Sequence, residues 1–381
     1  TSNSLELFQI NQLLQDVENK LNTLLIDYKT ISPELLSLMT VNTFPLSELQ
    51  AQINPDVLII DYYVLEEKTL IWIMSNDSFA TIHLPLGEKN LQPLILQLRG
   101  SLSDYKSQEY FSNIDDLSKK IIEPLLGFFD KKKHIVIIPH RSLSYIPFQV
   151  LRANGHYLVE NYAVSYAPSL NAYCYSVQKK STEKSSLLAF GNPAINDPSF
   201  IPLPGAETEV KEIAQLFNQP TIYIGPEATE TQLLQNAFQF DIIHLSTHAL
   251  SDEQFPMYSF IVLAPDQKND GFLFAHEVFQ LSLSSNLVVL SACQTALGQL
   301  SPSEGLVGLS RSFFYAGTPS LIASLWNVSD QSTMELFIYF YKYWFQGYSK
   351  SQALQMAQKV ILNKYPHPYF WAPFILIGYE Q

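Results

Sequence analysis

Short apolar runs alternate with helical patterns through the second half of the chain, and this alternation restricts the fold more than any other feature. Runs with the length and composition of buried strands stand at 187–190, 221–224, 240–247, 260–263, 286–291 and 320–325. Helical spacing of apolar residues marks the segments 206–217, 230–237, 306–316, 332–345 and 352–363. Strands that alternate with helices predict an α/β fold with a mostly parallel sheet and helices on both faces. In such a sheet, functional residues lie beyond the carboxyl ends of the strands.

The first half of the chain begins with a different pattern. Three β-rich runs, at 57–65, 69–74 and 79–84, are separated by polar turns and predict a three-stranded meander. The α/β pattern then follows, with helices predicted at 91–102, 114–129 and 170–178 and strands at 134–138 and 163–166. The most polar stretch of the chain, residues 179–186, separates the two halves, and we place a domain boundary there.

This boundary and the change of pattern after residue 50 divide the chain into three parts. Residues 1–50 are an N-terminal helical segment, because apolar residues recur at helical spacing from residue 4 to about residue 38. Residues 51–182 and 183–381 are the two α/β halves. The apolar face of the N-terminal helix either docks on the main body or continues a helical array upstream, and both alternatives stay open. The first residue is Thr1, which is expected of a processed product or of a piece excised from a longer chain.

Composition excludes several classes of protein. With 47% hydrophobic and 15% charged residues, the 381-residue chain is not expected to be disordered over long ranges. A formal charge of -13 opposes direct binding to nucleic acid or to anionic membranes. No apolar run approaches the 18 or so residues that a membrane span requires, and no signal peptide is visible. Two distant cysteines, Cys174 and Cys293, indicate a reducing compartment, and we expect a cytoplasmic protein.

Two strands of the second half end on reactive side chains. The apolar run 287–290 leads directly to Cys293, and the run 240–247 ends next to His248. A nucleophile and a base at the same edge of a parallel sheet form the minimal constellation for thiol catalysis. A buried structural role is the usual fate of a free cysteine, and Cys174, in a helical stretch between tyrosines, keeps that interpretation.

Other chemistries have weaker support. His244 and His248 stand four apart, but on a strand this spacing separates the side chains too far for shared metal binding, and His244 is interpreted as a sheet histidine. No metal site and no cofactor are expected. The sequence has no glycine-rich phosphate loop, and Gly308-Leu309-Ser310-Arg311-Ser312 lacks the second glycine of a nucleophile elbow. Kinases, NTPases, serine hydrolases and Rossmann dehydrogenases are therefore not expected.

Taken together, the motifs resemble the CHAT domain, a caspase-like peptidase module related to caspases and separase and often attached to tetratricopeptide repeats. The matching segments run from residue 49 to the C-terminus and include 137–140, 145–148, 190–193, 203–207, 244–249, 290–295, 325–330 and 371–374. The resemblance implies a caspase-like fold in which residues 51–182 are a degenerate half and residues 183–381 the catalytic half.

The resemblance also implies a function and its residues. Cys293 aligns with the nucleophile of a cysteine endopeptidase, and His248 with its catalytic histidine. The backbone N–H groups of Cys293 and Ala249 are expected to form the oxyanion hole, although caspases have glycine at the latter position. Asp330 matches an aspartate on the floor of the separase specificity pocket, which would favour cleavage after Arg or Lys. The alternative, equally open, is that Asp330 only caps the helix that begins near Ser332.

The expected partners are a protein substrate and an activating protein or upstream repeat domain, since an unregulated endopeptidase would be hazardous. The N-terminal segment resembles the place where family members join repeat arrays. A second hypothesis is an interaction module that keeps the fold without proteolysis. The presence of both Cys293 and His248 argues against such decay, because a pseudoenzyme is free to lose either residue.

Overall fold

The structure of the chain, a computed structural model, describes residues 45–178, 186–195, 197–252, 255–293, 305–326 and 328–380. The predicted helical segment at residues 4–38 lies outside this range. The strands are β1 (Val57–Val64), β2 (Thr69–Met74), β3 (Phe79–Leu84), β4 (His134–Ile138), β5 (Arg152–Ala153), β6 (His156–Tyr157), β7 (Ala163–Tyr166), β8 (Ser186–Gly191), β9 (Gln219–Ile224), β10 (Ile242–Leu250), β11 (Phe260–Val262), β12 (Phe272–Phe274), β13 (Leu287–Cys293), β14 (Ser320–Ser324) and β15 (Phe374–Gly378).

The α-helices of the described residues connect these strands. They are α1 (Leu46–Gln52), α2 (Glu88–Ser103), α3 (Tyr110–Ile121), α4 (Leu158–Asn161), α5 (Leu170–Gln178), α6 (Pro204–Ala214), α7 (Glu230–Asn236), α8 (Ala275–Val278), α9 (Gly305–Tyr315), α10 (Asp330–Phe345) and α11 (Lys350–Lys364). Short 3-10 turns lie at Glu123–Phe128, Arg141–Tyr145, Phe148–Val150, Gly225–Glu227, Ala237–Gln239, Pro256–Tyr258 and Pro368–Phe370. None of the described helices combines the length and apolar character needed to cross a bilayer.

One mixed sheet of 13 strands organises these elements, within the described residues. Its order is β9-β8-β10-β13-β14-β15-β7-β4-β1-β2-β3, and β11 with β12 extends from the far end of β10. Five neighbouring strands, β9, β8, β10, β13 and β14, are parallel to one another. The β1-β2-β3 meander is antiparallel, as the sequence predicts. The α/β class is confirmed.

Helices cover both faces of the sheet, because its central strands are apolar on both sides. All five residues of β4 and all five of β14 are buried. A large hydrophobic core on one face includes residues of α2, α3, α6, α10 and α11. Two smaller cores on the other face involve α1 with α5, and α7 with α8 and α9.

Strand β15 joins the two halves of the sheet, and the sequence analysis does not predict it. It pairs antiparallel with β14 and parallel with β7, where Ile377 is the register partner of Tyr166. Its position between the halves is supported by Gln149, whose amide donates to the carbonyls of Ala372 and Phe374 at 2.8 and 3.1 Å. The sheet is therefore continuous across the predicted boundary at residues 179–186.

Several predicted boundaries differ from those of the structure, and two of the differences lie at His248 and Cys293. β10 does not end before His248 but continues to Leu250, because β11 pairs antiparallel with residues 249 and 250. β13 includes Cys293 instead of ending at residue 291. The predicted helix at 114–129 breaks after Ile121 into a 3-10 turn that contains Pro124, a residue without the N–H that a continuing helix would use.

Candidate active site

Two neighbouring parallel strands bring His248 and Cys293 to the same edge of the sheet. β10 and β13 pair along seven residues, from Ile242 with Leu287 to His248 with Cys293. Because adjacent strands are about 4.8 Å apart, the backbones of these two register partners are direct neighbours. The structure describes the backbone of Cys293, and its side chain lies outside the description.

The imidazole of His248 is held by a main-chain carbonyl. Its Nε2 lies 2.7 Å from the carbonyl oxygen of Ile201, which can only accept, so Nε2 carries the proton. In a neutral ring, Nδ1 is then the basic nitrogen. Nδ1 is buried and has no hydrogen-bond partner among the described residues. An oriented imidazole with one free nitrogen is suited to proton transfer.

A loop after β8 supplies the Ile201 carbonyl and forms the wall of a cavity. The backbone of Asn192 adopts a left-handed conformation with φ 49°, which asparagine tolerates better than most residues. Its Oδ1 accepts a hydrogen bond from the N–H of Leu203 at 2.7 Å and so ties the two ends of the loop together. The cavity, of about 270 Å³, is lined by this loop, by Gly225 and by His248.

The sequence analysis missed Ile201, because a carbonyl acceptor leaves no mark in the side-chain sequence. The available signal was the Gly191-Asn192-Pro193 turn directly after a buried strand. Such a turn predicts a loop at the carboxyl edge of the sheet, where His248 was also expected.

Ala249 follows His248 within β10 and is buried. It is the register partner of Ile261 in β11. Thr247, the residue before His248, donates a hydrogen bond from its hydroxyl to the carbonyl of Val262 at 2.5 Å. This bond holds β11 against the carboxyl end of β10. The expected oxyanion donor therefore stands where β10 changes its neighbour from β8 to β11.

Asp330 is half-buried and begins α10, but it does not cap that helix. Its Oδ2 accepts the backbone N–H of Gly205 at 2.9 Å, so it caps the N-terminus of the neighbouring helix α6. The interpretation as a cap of its own helix is thus corrected, since within the described part of the chain no side-chain hydrogen bond caps the N-terminus of α10. A Cβ on Gly205 would meet the Asp330 carboxyl carbon at 2.6 Å, which explains the glycine. Asp330 does not line the His248 cavity, but Leu203, near its partner Gly205, does.

The other singled-out residues have structural roles. His244 is fully buried, with Nε2 2.6 Å from Glu209 Oε1 and Nδ1 3.1 Å from the hydroxyl of Tyr341, which confirms the sheet-histidine interpretation. Cys174 is buried, as predicted, and burial raises the pKa of its thiol to about 11, so little thiolate forms at neutral pH. Among the described residues, no cluster of three or more His, Cys, Asp or Glu side chains is placed to hold a metal ion.

Comparisons with known proteins agree with this architecture. The CHAT domain family matches residues 113–379. Tetratricopeptide repeat protein 28 of Homo sapiens is 26% identical over 312 residues, which cover 66% of this chain and 12% of that protein, and the Mus musculus protein of the same name is 26% identical over 310 residues. This chain thus corresponds to a small part of those relatives.

A solved structure shows the same fold. The separase in the Saccharomyces cerevisiae separase–securin complex superimposes with a TM-score of 0.59 over 87% of this chain and 30% of that chain, at 10% identity. At such low identity the likeness shows the fold alone, and that fold is caspase-like, as expected from the sequence.

Proposed function

Because the chain belongs to the CHAT domain family and has a caspase-like fold, we propose that it is a cysteine endopeptidase in which Cys293 and His248 form the catalytic dyad. The observation that carries the proposal is the geometry of His248. Its Nε2 is fixed on the Ile201 carbonyl, its Nδ1 is buried without a partner in the described part of the chain, and its backbone is in register with Cys293. A merely structural histidine in this position would be expected to satisfy both nitrogens, as His244 does.

In the proposed reaction, the Cys293 thiol gives its proton to His248 Nδ1, and the resulting thiolate attacks the scissile carbonyl carbon and forms a C–S bond. The backbone N–H groups of Cys293 and Ala249 donate to the oxyanion. His248 Nδ1 transfers a proton to the leaving amine as the C–N bond breaks. Nδ1 then takes a proton from a water molecule as its oxygen attacks the thioester carbon, and returns that proton to the sulfur as the C–S bond breaks, which releases the acid product and restores the thiol.

We further propose that Asp330 selects Arg or Lys before the scissile bond. The proposal is supported by the position of Asp330 after β14, one strand beyond Cys293, and by its link to the cavity wall through Gly205. A carboxylate there would attract a basic side chain and repel an acidic one. Its structural contact to Gly205 uses only one carboxylate oxygen, Oδ2.

The remaining proposals concern organisation and control. Residues 183–381 form the catalytic half, residues 51–182 a degenerate half, and residues 1–50 a helical segment through which a partner or repeat domain controls activity in the cytoplasm. Deletion of residues 1–44 should therefore change either the basal activity or the response to a partner, measured by peptide cleavage and by pull-down. If the deletion changes neither peptide cleavage nor partner binding, the proposed regulation through residues 1–50 is wrong.

The alternative function is a catalytically silent interaction module. It is favoured by the relatives, which are named for their repeats and not for an activity. A peptide that carries an electrophilic group in place of the scissile carbonyl distinguishes the two alternatives. The wild-type protein should be labelled at Cys293. The His248→Ala variant should be labelled at least tenfold more slowly, and the Cys293→Ala variant should not be labelled.

Cys174→Ala is the matched control, because its buried thiol should not contribute to labelling. Labelling should be detected by intact mass and by peptide mapping. If His248→Ala is labelled as fast as wild type, or if labelling distributes over both cysteines, the dyad is wrong and the silent module is the better description.

A further inference from the structure

A continuous row of aromatic rings leads away from His248 across β11 and β12. We name it the aromatic face, and it consists of Phe200, Phe255, Tyr258, Phe260, Phe272 and Phe274. Phe200 contacts the His248 ring at a centroid distance of 5.5 Å and the Phe272 ring at 6.1 Å. Phe272 contacts Phe260 at 5.2 Å, and Phe260 contacts Phe274 at 5.5 Å. Tyr258 contacts Phe274 at 6.3 Å and Phe255 at 6.4 Å, and so extends the row to Phe255.

The alternation of the two strands explains why these rings share one side. Phe260 is the register partner of Phe274, and Ile261 is the partner of Leu273. Ile261 and Leu273 are fully buried in the core beneath. The phenylalanines therefore occupy the other side of the pair, away from that core.

The outer end of the aromatic face is unusually open to solvent. Phe255 is 61% exposed, Tyr258 is 59% exposed and Met257 between them is 41% exposed. Three large apolar side chains exposed within four residues cost solubility, and such a patch generally marks a binding surface. The inner end of the face, at Phe200, adjoins Ile201, whose carbonyl holds His248.

The order of the strands determines which part of a substrate would lie on this face. Asp330 follows β14, Cys293 ends β13 and His248 lies on β10, with β11 and β12 beyond it. In the proposed reaction, His248 protonates the leaving amine, so the residues after the cut leave on the β10 side. The residues before the cut lie towards β14. A chain that crosses this edge continues from His248 onto the aromatic face.

We propose that the aromatic face binds the segment of the protein substrate that follows the scissile bond, and that this segment is rich in aromatic or large aliphatic residues. The inference rests on the proposed function and names the substrate class of the same site. Binding would bury apolar side chains of this segment against the aromatic rings, and this burial would add to the affinity of a substrate that is already held near His248.

The test is a cut-site profile of the full chain. A bacterial proteome is digested with a glutamate-specific endopeptidase, its amino groups are blocked, and the new amino termini made by the protein are sequenced by mass spectrometry. Wild type should enrich Phe, Tyr, Trp, Leu or Met about threefold to tenfold within about the first eight residues after the cut, the length of extended chain that reaches the outer end of the aromatic face, as expected for one aromatic contact. The double variant Phe255→Ser/Tyr258→Ser should lose this enrichment.

Three variants serve as controls. Phe255→Leu/Tyr258→Phe keeps an apolar surface and should keep most of the enrichment. Phe238→Ser removes an equally open ring, 56% exposed, that precedes β10 at the opposite edge of the sheet, and should leave the profile unchanged. Cys293→Ala should produce no new termini, which identifies the cuts that belong to the proposed dyad.

The outcomes separate the inference from the proposed function. Cuts that depend on Cys293 but show no apolar enrichment, or keep it in Phe255→Ser/Tyr258→Ser, overturn the inference and leave the peptidase in place. Absence of any Cys293-dependent cut overturns both. If wild type sediments as a dimer that the double variant dissociates, while the profile is unchanged, the aromatic face is an interface between copies and the inference is wrong.

Discussion

Asp330 combines a structural contact with the position expected of a specificity residue, and two substitutions separate these roles. Asp330→Ala removes the acceptor of the Gly205 N–H and should lower the free energy of unfolding by about 1 kcal/mol, the usual value of a helix N-cap. Asp330→Asn keeps an acceptor oxygen, so its stability, measured by urea unfolding, should stay within a few tenths of a kcal/mol of wild type.

Cleavage should respond differently. If the carboxylate binds a basic side chain, both variants should lose at least about tenfold in kcat/KM on peptides with Arg or Lys before the cut, as expected for a lost charged hydrogen bond. Peptides with a neutral residue there are the matched control and should change little. An Asp330→Asn enzyme that cleaves basic sites as well as wild type would show that Asp330 is a cap only.

His248 shows why an active site is only partly visible in a sequence. Its strand, and that of Cys293, could be predicted from largely apolar runs, and parallel pairing then makes the two residues neighbours. The group that orients His248 could not be predicted, because it is the main-chain carbonyl of Ile201, a residue whose own side chain is exposed. The dyad itself stays a prediction until Cys293 is labelled.

At the scale of strands and helices, local pattern was sufficient for most elements of the sheet. The predicted runs at 69–74, 79–84, 134–138 and 163–166 coincide with β2, β3, β4 and β7. The misses depend on distant partners. β15 is a five-residue apolar run whose pairing with β14 and β7 cannot be deduced from its own residues. β12 has only three residues and is defined by β11.

Strand β1 contains a carboxylate that burial destabilises. Asp61 lies opposite Trp72 of β2 and lines a cavity of about 150 Å³ with apolar neighbours. Desolvation raises its pKa from 3.8 to about 6. The folded state thus binds the proton more tightly than the unfolded state, so the stability contribution is present below pH 4 and is lost as the pH rises through 6.

Asp61→Asn should therefore stabilise the protein in a pH-dependent way. At pH 8 the free energy of unfolding should increase by about 1 to 2 kcal/mol, less than the full linkage value because the side chain keeps some access to water. At pH 4 the variant and wild type should be nearly equal. Urea unfolding at both pH values measures the difference, and a gain that is the same at pH 4 and pH 8 would show that ionisation is not its cause.

At the scale of the whole molecule, the two halves share one sheet and one major core. Leu98 and Ile135 of the first half belong to the same hydrophobic cluster as Phe337 and Trp371 of the second. Buried Arg99 of α2 donates to the carbonyl of Leu325 at 3.1 Å, five residues before Asp330. The first half therefore supports the segment that leads to the proposed specificity residue, although none of the proposed catalytic residues belongs to it.

This sharing predicts that the proposed catalytic half does not fold alone. Residues 183–381 without the first half would leave one side of β15 unpaired and would expose the core residues that pack on the first half. A domain stability of about 5–15 kcal/mol leaves little margin for such losses. The isolated fragment should show no cooperative thermal transition by circular dichroism and no labelling of Cys293. Co-expression of fragments 1–182 and 183–381 should restore both, because the break falls within the polar stretch between the halves and leaves the core complete. A fragment 183–381 that melts cooperatively and is labelled on its own would show that the second half is an independent domain, with β15 as its edge strand.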